Sequence, residues 1–221
     1  AQRATDDAQR RRALDQIVAG ASYAGHLVDQ LLTLSHLDAR TAAPTLGRVD
    51  LLEAARDTAS ALEPLARQRT ISIRVAGAGE ASTRADATCI GILLRNLMDN
   101  AIRYSPAGGE VRVTVGRRGL FNQVIVEDTG PGIADGQHTE MFQRFRRGPE
   151  TAEPGSGLGL SIVRRICELH GGSVRLANLE DGGLRCEVLL LPFEEPMPQT
   201  PAASISADGS DPARAQAGQV A

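Results

Sequence analysis

From Asp86 to Tyr104, apolar residues return every three or four positions, at Ile90, Leu93, Leu94, Leu97, Met98 and Ala101. That period is helical and produces one face that has to be buried. Asn96, Asn100 and Arg103 stand at i, i+4 and i+7, so they form a second stripe bordering the first. A helix with both stripes suits neither open solvent nor a wholly apolar core. It has to lie on a layer that covers its apolar face and leaves the amide stripe at the border of the core. Asp86 is placed to cap it, and Pro106 with Gly108 and Gly109 stops it.

The neighbouring segments supply such a layer. Ile71, Ile73 and Val75 alternate through Thr70–Val75, as do Val111, Val113 and Val115, and Gln123–Glu127 reads as a further strand. Leu51–Arg67 and Gly159–His170 have helical periods, the second ended by Gly171 and Gly172. Ser173–Ala177 and Leu184–Leu191 form a hairpin around Asp181, Gly182 and Gly183. Strands interleaved with helices predict an α/β fold.

A long amphipathic helix precedes this unit, from Asp7 to Asp38. Leu14, Ile17, Ala21, Ala24, Val28 and Leu31 form a continuous seam, with Asp15, Gln16, Asp29 and Gln30 on the other face. The seam predicts a dimer contact, because an isolated helix of this kind is only marginally stable. Thr41–Gly47, with Pro44, reads as a linker. Beyond Glu194 the chain is Ala, Pro, Gly, Ser and Gln, and is expected to be a disordered tail.

Bulk properties exclude several classes. With a net charge of −3, there is no basic footprint for nucleic acid. Cys89, Cys167 and Cys186 have neither zinc-site nor disulfide-framework spacing, which points to a reducing compartment. No apolar run reaches the length of a membrane span. The chain opens on Ala1 without a signal-peptide pattern, so it is expected to be a piece of a longer protein, with any membrane anchor upstream.

Four clusters carry chemistry, in a fixed order. Asn96-Leu-Met-Asp-Asn100-Ala-Ile-Arg103-Tyr104 aligns two amides and a guanidinium, which suits a metal-bound polyphosphate or an ordinary solvated face. Asp128-Thr-Gly130-Pro-Gly132 follows a strand, where a carboxylate can accept a hydrogen bond from an exocyclic amine; ordinary turns also look like this. Met141-Phe-Gln-Arg144-Phe145-Arg146 offers Phe142 and Phe145 as anchors of a lid, or of a plain surface helix. Gly155-Ser-Gly157-Leu158-Gly159 opens a helix with free N–H groups that favour anions. It matches neither the Rossmann fingerprint nor the Walker A loop.

Together these clusters resemble the N, first G, F and second G boxes of bacterial sensor histidine kinases, in the GHKL ATPase superfamily. The resemblance covers about Asp7 to Pro192. It implies the Bergerat fold: a two-layer α/β sandwich with a mixed sheet and three helices, here preceded by a long dimerisation helix. The implied domains are 1–40 (second dimerisation helix), 41–48 (linker), 49–193 (ATP-binding catalytic domain) and 194–221 (tail). ATP and Mg²⁺ are the implied cofactors. Asn100 would ligand the metal, with Asn96 supporting it. Arg103 would contact phosphate, and Tyr104 would pack by the nucleoside. Asp128 would bind the adenine amine, with Gly130, Gly132 and Ile133 shaping the pocket. Gly157, Leu158 and Gly159 would close over the phosphates. Phe142 and Phe145 would hold the lid, Thr129–Pro154, and Arg144 would present the γ-phosphate.

In hydrolytic relatives a glutamate usually stands at position 96 as the base for water. An asparagine has no usable basic lone pair, so the resemblance implies transfer to a nucleophile brought from outside. That nucleophile is a histidine in an H box, which these residues do not contain. His36 is followed by Leu37 where the family places an acid, and it ends a helix. His170, beside Gly171, reads as a helix C-terminal residue favoured by the dipole. The family implies a homodimer through the N-terminal helix, a response regulator receiver domain as partner, and a cytoplasmic location. Gln143, Ser156 and Leu184 replace residues commoner at their positions. The competing readings are another GHKL ATPase or serine kinase, and a pseudokinase scaffold without nucleotide.

Overall fold

The computed structural model describes residues 2–39, 46–77, 79–146 and 155–194. Residue 40, residues 41–45 of the expected linker, 147–154 of the expected lid and the expected tail from residue 195 lie outside the described residues. The elements in chain order are α1 (Gln2–Asp38), β1 (Gly47–Asp50), α2 (Leu51–Gln68), β2 (Ser72–Gly77), β3 (Ser82–Ala85), α3 (Ala87–Tyr104), β4 (Glu110–Arg118), β5 (Phe121–Glu127), α4 (Gly159–Leu169), β6 (Ser173–Asn178) and β7 (Leu184–Leu190). A short 3-10 turn, Glu140–Phe142, lies between β5 and α4.

Five strands form one mixed sheet in the order β2-β4-β5-β7-β6. β2 runs parallel to β4, and every other pair is antiparallel. The inward face carries Val111, Val113 and Val115 of β4, Val124 and Val126 of β5, and Val188 and Leu190 of β7, all buried. Against it lie α2, α3 and α4, contributing Leu51, Leu62, Ile90, Leu93, Leu94, Met98, Ile162 and Ile166. The outward face is charged. Register aligns Arg112, Glu127 and Arg185 across three strands, and Glu127 pairs with Arg185 at 2.6 Å and Arg112 at 3.5 Å. The arginines of these pairs are about half exposed over a largely covered Glu127, and the charged row leaves that face without an apolar surface for a further layer.

The helix ends are explained by their caps. Asp50 accepts from the N–H groups of Leu52 (2.8 Å) and Glu53 (3.1 Å), and Asp86 accepts from Cys89 (3.1 Å). His170 is the C-cap of α4 and is buried. Its Nδ1 lies 2.8 Å from the Ile166 carbonyl, and its Nε2 accepts from the Asp86 N–H at 3.2 Å. His170 thereby ties α4 to the start of α3 by hydrogen bonding.

Two strands were not expected from the sequence. β1 and β3 pair with each other in a separate two-stranded sheet. β3 is pinned by polar contacts: Thr83 Oγ1 donates to the Leu191 carbonyl at 2.5 Å, and Asn122 Nδ2 to the Ser82 carbonyl at 2.7 Å. β2 starts at Ser72 rather than Thr70, because Thr70 takes a positive φ of 59° in the turn leaving α2. The cysteines are free and buried, and burial pushes the Cys167 thiol up to about 12 and the Cys186 thiol upward as well.

α1 starts at Gln2, ahead of the expected Asp7, and does not stand apart. Leu34 and Leu37 are buried, and the Leu37 carbonyl accepts from Arg165 of α4 at 3.4 Å. The seam residues Leu14, Ile17, Val28 and Leu31 remain 45–66% exposed. Gln30, expected on the solvated face, is instead buried at 8% exposure.

The core assignment has a simple test. Leu94→Ala, at a fully buried position, should destabilise the protein by about 2–5 kcal/mol, through lost transfer energy and a cavity. Leu120→Ala, at a position 82% exposed, should stay within about 0.5 kcal/mol of the parent. Urea titration of both variants is the measurement, and equal losses would contradict this layer arrangement.

Candidate functional site

The cleft lies where α3, the end of β5, the start of α4 and the β6–β7 turn converge. Asp128, immediately after β5, is buried there at 8% exposure. Asp128 Oδ1 accepts from the Gly130 N–H at 2.8 Å and the Leu184 N–H at 3.2 Å. Burial raises its carboxyl above the usual range, and the two N–H donors partly offset that. Its Oδ2 has no hydrogen-bond partner among the described residues. A buried carboxylate with one oxygen saturated and the other open is an acceptor awaiting a donor.

Gly183 makes this geometry possible. Its φ is +108°, and a Cβ there would stand 2.1 Å from the Asp128 carbonyl oxygen. The Asp128 N–H donates to the Leu184 carbonyl at 3.0 Å, so the loop after β5 is stitched to the start of β7. Leu184 therefore acts through its peptide, which explains how an apolar side chain serves at this position.

On α3, the two amides differ. Asn96 is committed: its Nδ2 donates to the Ile92 carbonyl at 2.8 Å, and its Oδ1 accepts from Gln30 Nε2 at 3.2 Å. Asn100 is half-buried and its carboxamide has no partner among the described residues. The start of α4 faces both amides, since a Cβ built on Gly159 would lie 3.0 Å from Asn96 Oδ1 and 3.3 Å from Asn100 Nδ2. The chain thus brings the first and fourth clusters into contact across a small gap. Arg103 pairs with Asp99 at 2.7 Å. Tyr104 lies at the mouth, its hydroxyl 3.6 Å from a Cβ built on Gly155, and its carbonyl borders Gly130.

The third cluster sits differently from expectation. Phe142 is half-buried, but the Phe145 ring is 63% exposed. Phe145 has φ +62°, and its backbone N–H donates to the Gly157 carbonyl at 2.9 Å. The peptide of Phe145, not its ring, ties this segment to the glycine loop. Arg144 makes an ion pair with Asp38 of α1 at 2.6 Å, and Arg165 meets the same carboxylate at 3.3 Å.

Sequence reasoning missed two contributors. Gln30 of α1 bridges the cleft: it donates to Asn96, and its Oε1 accepts from Ser156 Oγ. Ser156 Oγ in turn accepts from the Leu158 N–H at 3.0 Å. Asn178, at the end of β6, holds the backbone of Ile133. For Gln30 the only sequence signal was a long polar side chain one turn before the buried Leu34.

The described residues contain no group of three or more His, Cys, Asp or Glu able to hold a metal.

The model of the family described as "Histidine kinase-, DNA gyrase B-, and HSP90-like ATPase" matches residues 85–195. The sensor protein QseC of Salmonella typhi is 40% identical over 184 residues, covering 83% of this chain and 40% of its own length. The solved cytoplasmic segment of histidine kinase QseC is 32% identical with a TM-score of 0.54, covering 77% of this chain and 93% of that one. Full-length ShkA in complex with AMPPNP is 27% identical with a TM-score of 0.67, covering 76% of this chain and 36% of that one. The chain spans about 40% of the length of the curated QseC relatives it matches. By the matched residues and these relatives, the chain belongs to the histidine kinase-, DNA gyrase B- and HSP90-like ATPase family, among the sensor histidine kinases.

Proposed function

We propose that this chain binds Mg-ATP in the cleft and passes its γ-phosphate to a histidine outside the chain, for relay to an aspartate of a response regulator receiver domain. The observation that carries the reading is the pair of open acceptors, the buried Asp128 Oδ2 and the half-buried Asn100 carboxamide. The first suits the adenine amine. The second is a hard oxygen donor of the kind Mg²⁺ takes alongside phosphate oxygens, and the metal would supply charge neutralisation. The N–H groups at the start of α4 face the same gap and suit phosphate. ShkA, a relative of the same family, was solved with an ATP analogue, which supports the nucleotide reading.

Asn96 decides the reaction type. Its carboxamide cannot take a proton from water, so the cleft is suited to transfer rather than hydrolysis. In the transfer, an imidazole nitrogen attacks the γ-phosphorus, the bond to the β–γ bridging oxygen breaks, ADP leaves, and the ring proton passes to a base beside the acceptor. Positioning dominates the rate of such a step. The exposed α1 seam supports a homodimer that brings the acceptor helix within reach. No helix among the described residues is long and apolar enough to cross a membrane, and a membrane-anchored parent would hold its span upstream. The domain limits proposed are 1–40, 41–48, 49–193 and 194–221.

α1 and the nucleotide draw on the same groups. Gln30 uses Asn96 and Ser156, and Asp38 uses Arg144. Binding of the triphosphate therefore has to displace these contacts.

Three outcomes test the reading. Asp128→Asn keeps an oxygen for the Gly130 and Leu184 N–H groups but turns the open acceptor into a donor. ATP affinity should fall about ten- to a hundredfold, read with a fluorescent analogue. Folding stability at neutral pH should be no lower than the parent's. The parent's carboxyl has a raised pKa, so its contribution to stability is full below 3.8 and is lost as pH rises through the folded value; the variant lacks that loss. Parent-like ATP affinity in the variant would exclude the adenine assignment.

Asn100→Ala should abolish the Mg²⁺ dependence of ATP binding, so that affinity with and without EDTA becomes equal. A retained EDTA effect of parental size would place the metal elsewhere. Gln30→Ala should tighten Mg-ATP binding about threefold to tenfold, the worth of one competing neutral hydrogen bond. Calorimetry showing equal or weaker binding would rule out the competition.

A further inference from the structure

The loop Asp128-Thr-Gly-Pro-Gly-Ile133 is gripped at both ends by one hairpin. Asn178 and Leu184 face each other as the last pair of the β6–β7 ladder. Leu184 holds Asp128, accepting its N–H and donating to its carboxylate. Asn178 holds the other end. Its Oδ1 accepts from the Ile133 N–H at 2.9 Å, and its Nδ2 donates to the Ile133 carbonyl at 2.7 Å. One side chain thus satisfies both polar groups of a single residue, as a neighbouring strand would.

Three features show that this contact is built. Asn178 is exposed, so burial does not force its carboxamide inward. Gly132 has φ +74°, and a Cβ there would lie 2.7 Å from Asn178 Oδ1 and 3.3 Å from the Gly183 carbonyl. The hairpin turn is itself fixed, with the Leu179 N–H donating to Gly183 and the Gly182 N–H to Leu179. Only an amide makes both bonds: a carboxylate accepts alone, and a hydroxyl lacks the span.

We propose that Asn178 is a positioning residue for the base of the nucleotide: its carboxamide locks the Gly132–Ile133 arm to the hairpin that also holds Asp128, so that arm and carboxylate form one rigid frame selecting adenine. The proposal rests on the nucleotide reading above and deepens it. Among the described residues the Asn178 carboxamide bonds only to the Ile133 backbone. Its effect is confined to the base, which separates it from a general contribution to folding.

The test compares ATP, GTP and inorganic tripolyphosphate binding to the parent chain, N178A and N178D by calorimetry, with melting temperatures alongside. N178A should bind ATP about fivefold to twentyfold more weakly, from the loss of two neutral hydrogen bonds that order the arm. Its tripolyphosphate affinity should be unchanged, and its preference for ATP over GTP should shrink.

N178D keeps an acceptor for the Ile133 N–H but sets a carboxylate against the Ile133 carbonyl. Protonation restores the donor. Its ATP affinity relative to the parent should therefore recover as pH falls through the ordinary aspartate range, from about 6 to about 4, while the N178A ratio stays flat. Asp128, Glu180 and Asp181, the other carboxyl groups of the loop and the turn, are present in every variant and cancel in the ratio. Should N178A melt far below the parent, the N178D ratio carries the test alone. ATP affinity unchanged in N178A, an equal loss for tripolyphosphate, or a flat N178D ratio each overturns the proposal. A parent that binds ATP no better than tripolyphosphate overturns the base-pocket reading and the proposal with it.

Discussion

A buried carboxylate is costly unless hydrogen bonds hold it, and the organisation of this domain turns on how Asp128 is held. The sheet order sets β5 beside β7, so that the residue leaving β5 meets the first peptide of β7. Leu184 N–H then reaches Asp128 Oδ1, while the turn through Gly130 supplies the second donor. Gly183 is there because no side chain fits between those strands. Two donors on one oxygen stabilise the carboxylate only in part, and burial still holds its pKa above the ordinary value. The pH range that ionises the group creates the acceptor and weakens the fold together, a balance common at binding sites.

The α3–α4 side of the cleft is organised by a different force. Apolar burial of Ile90, Leu93, Leu94 and Met98 fixes the rotation of α3, and rotation alone decides where Asn96 and Asn100 point. α4 is fixed in the same way by Ile162, Val163 and Ile166, which brings its first turn against the two amides. Packing aims the amides, and hydrogen bonding aims the carboxylate. The contacts from α1 are weaker in kind: the Asp38–Arg144 pair is about half exposed on both sides, and such pairs contribute little in water.

How far the sequence revealed this depends on range. α3, α4, β4 and the β6–β7 hairpin were legible because each carries its own period and its own stop signal. β1 and β3 were not, because neither has an apolar alternation: Ser82 and Thr83 are buried by hydrogen bonds to residues near 122 and 191. The four clusters were legible as local patterns, and the cleft does gather the first, second and fourth. The place of Gln30 was hidden. Its partners are 66 and 126 residues away, and a glutamine on a polar stripe looks the same whether it faces solvent or another domain. Phe145 misled for a related reason: composition marks an aromatic as an anchor, whereas a positive φ turned the ring outward and left the peptide to make the contact.

The single parallel pairing, β2 with β4, has a consequence for how the cleft comes into being. Parallel neighbours need a crossover, and here the crossover contains β3 and α3. The helix bearing the amides is therefore the connection that closes the sheet's first edge. On a chain emerging from the ribosome, α2, β2, α3 and β4 are complete before the strand that presents Asp128, and well before the hairpin that grips it. α3 is thus in place early, but the residues it faces arrive late: α4 brings its first turn to the amides only after β5, and Asp128 gains its second donor only once β7 has joined the sheet.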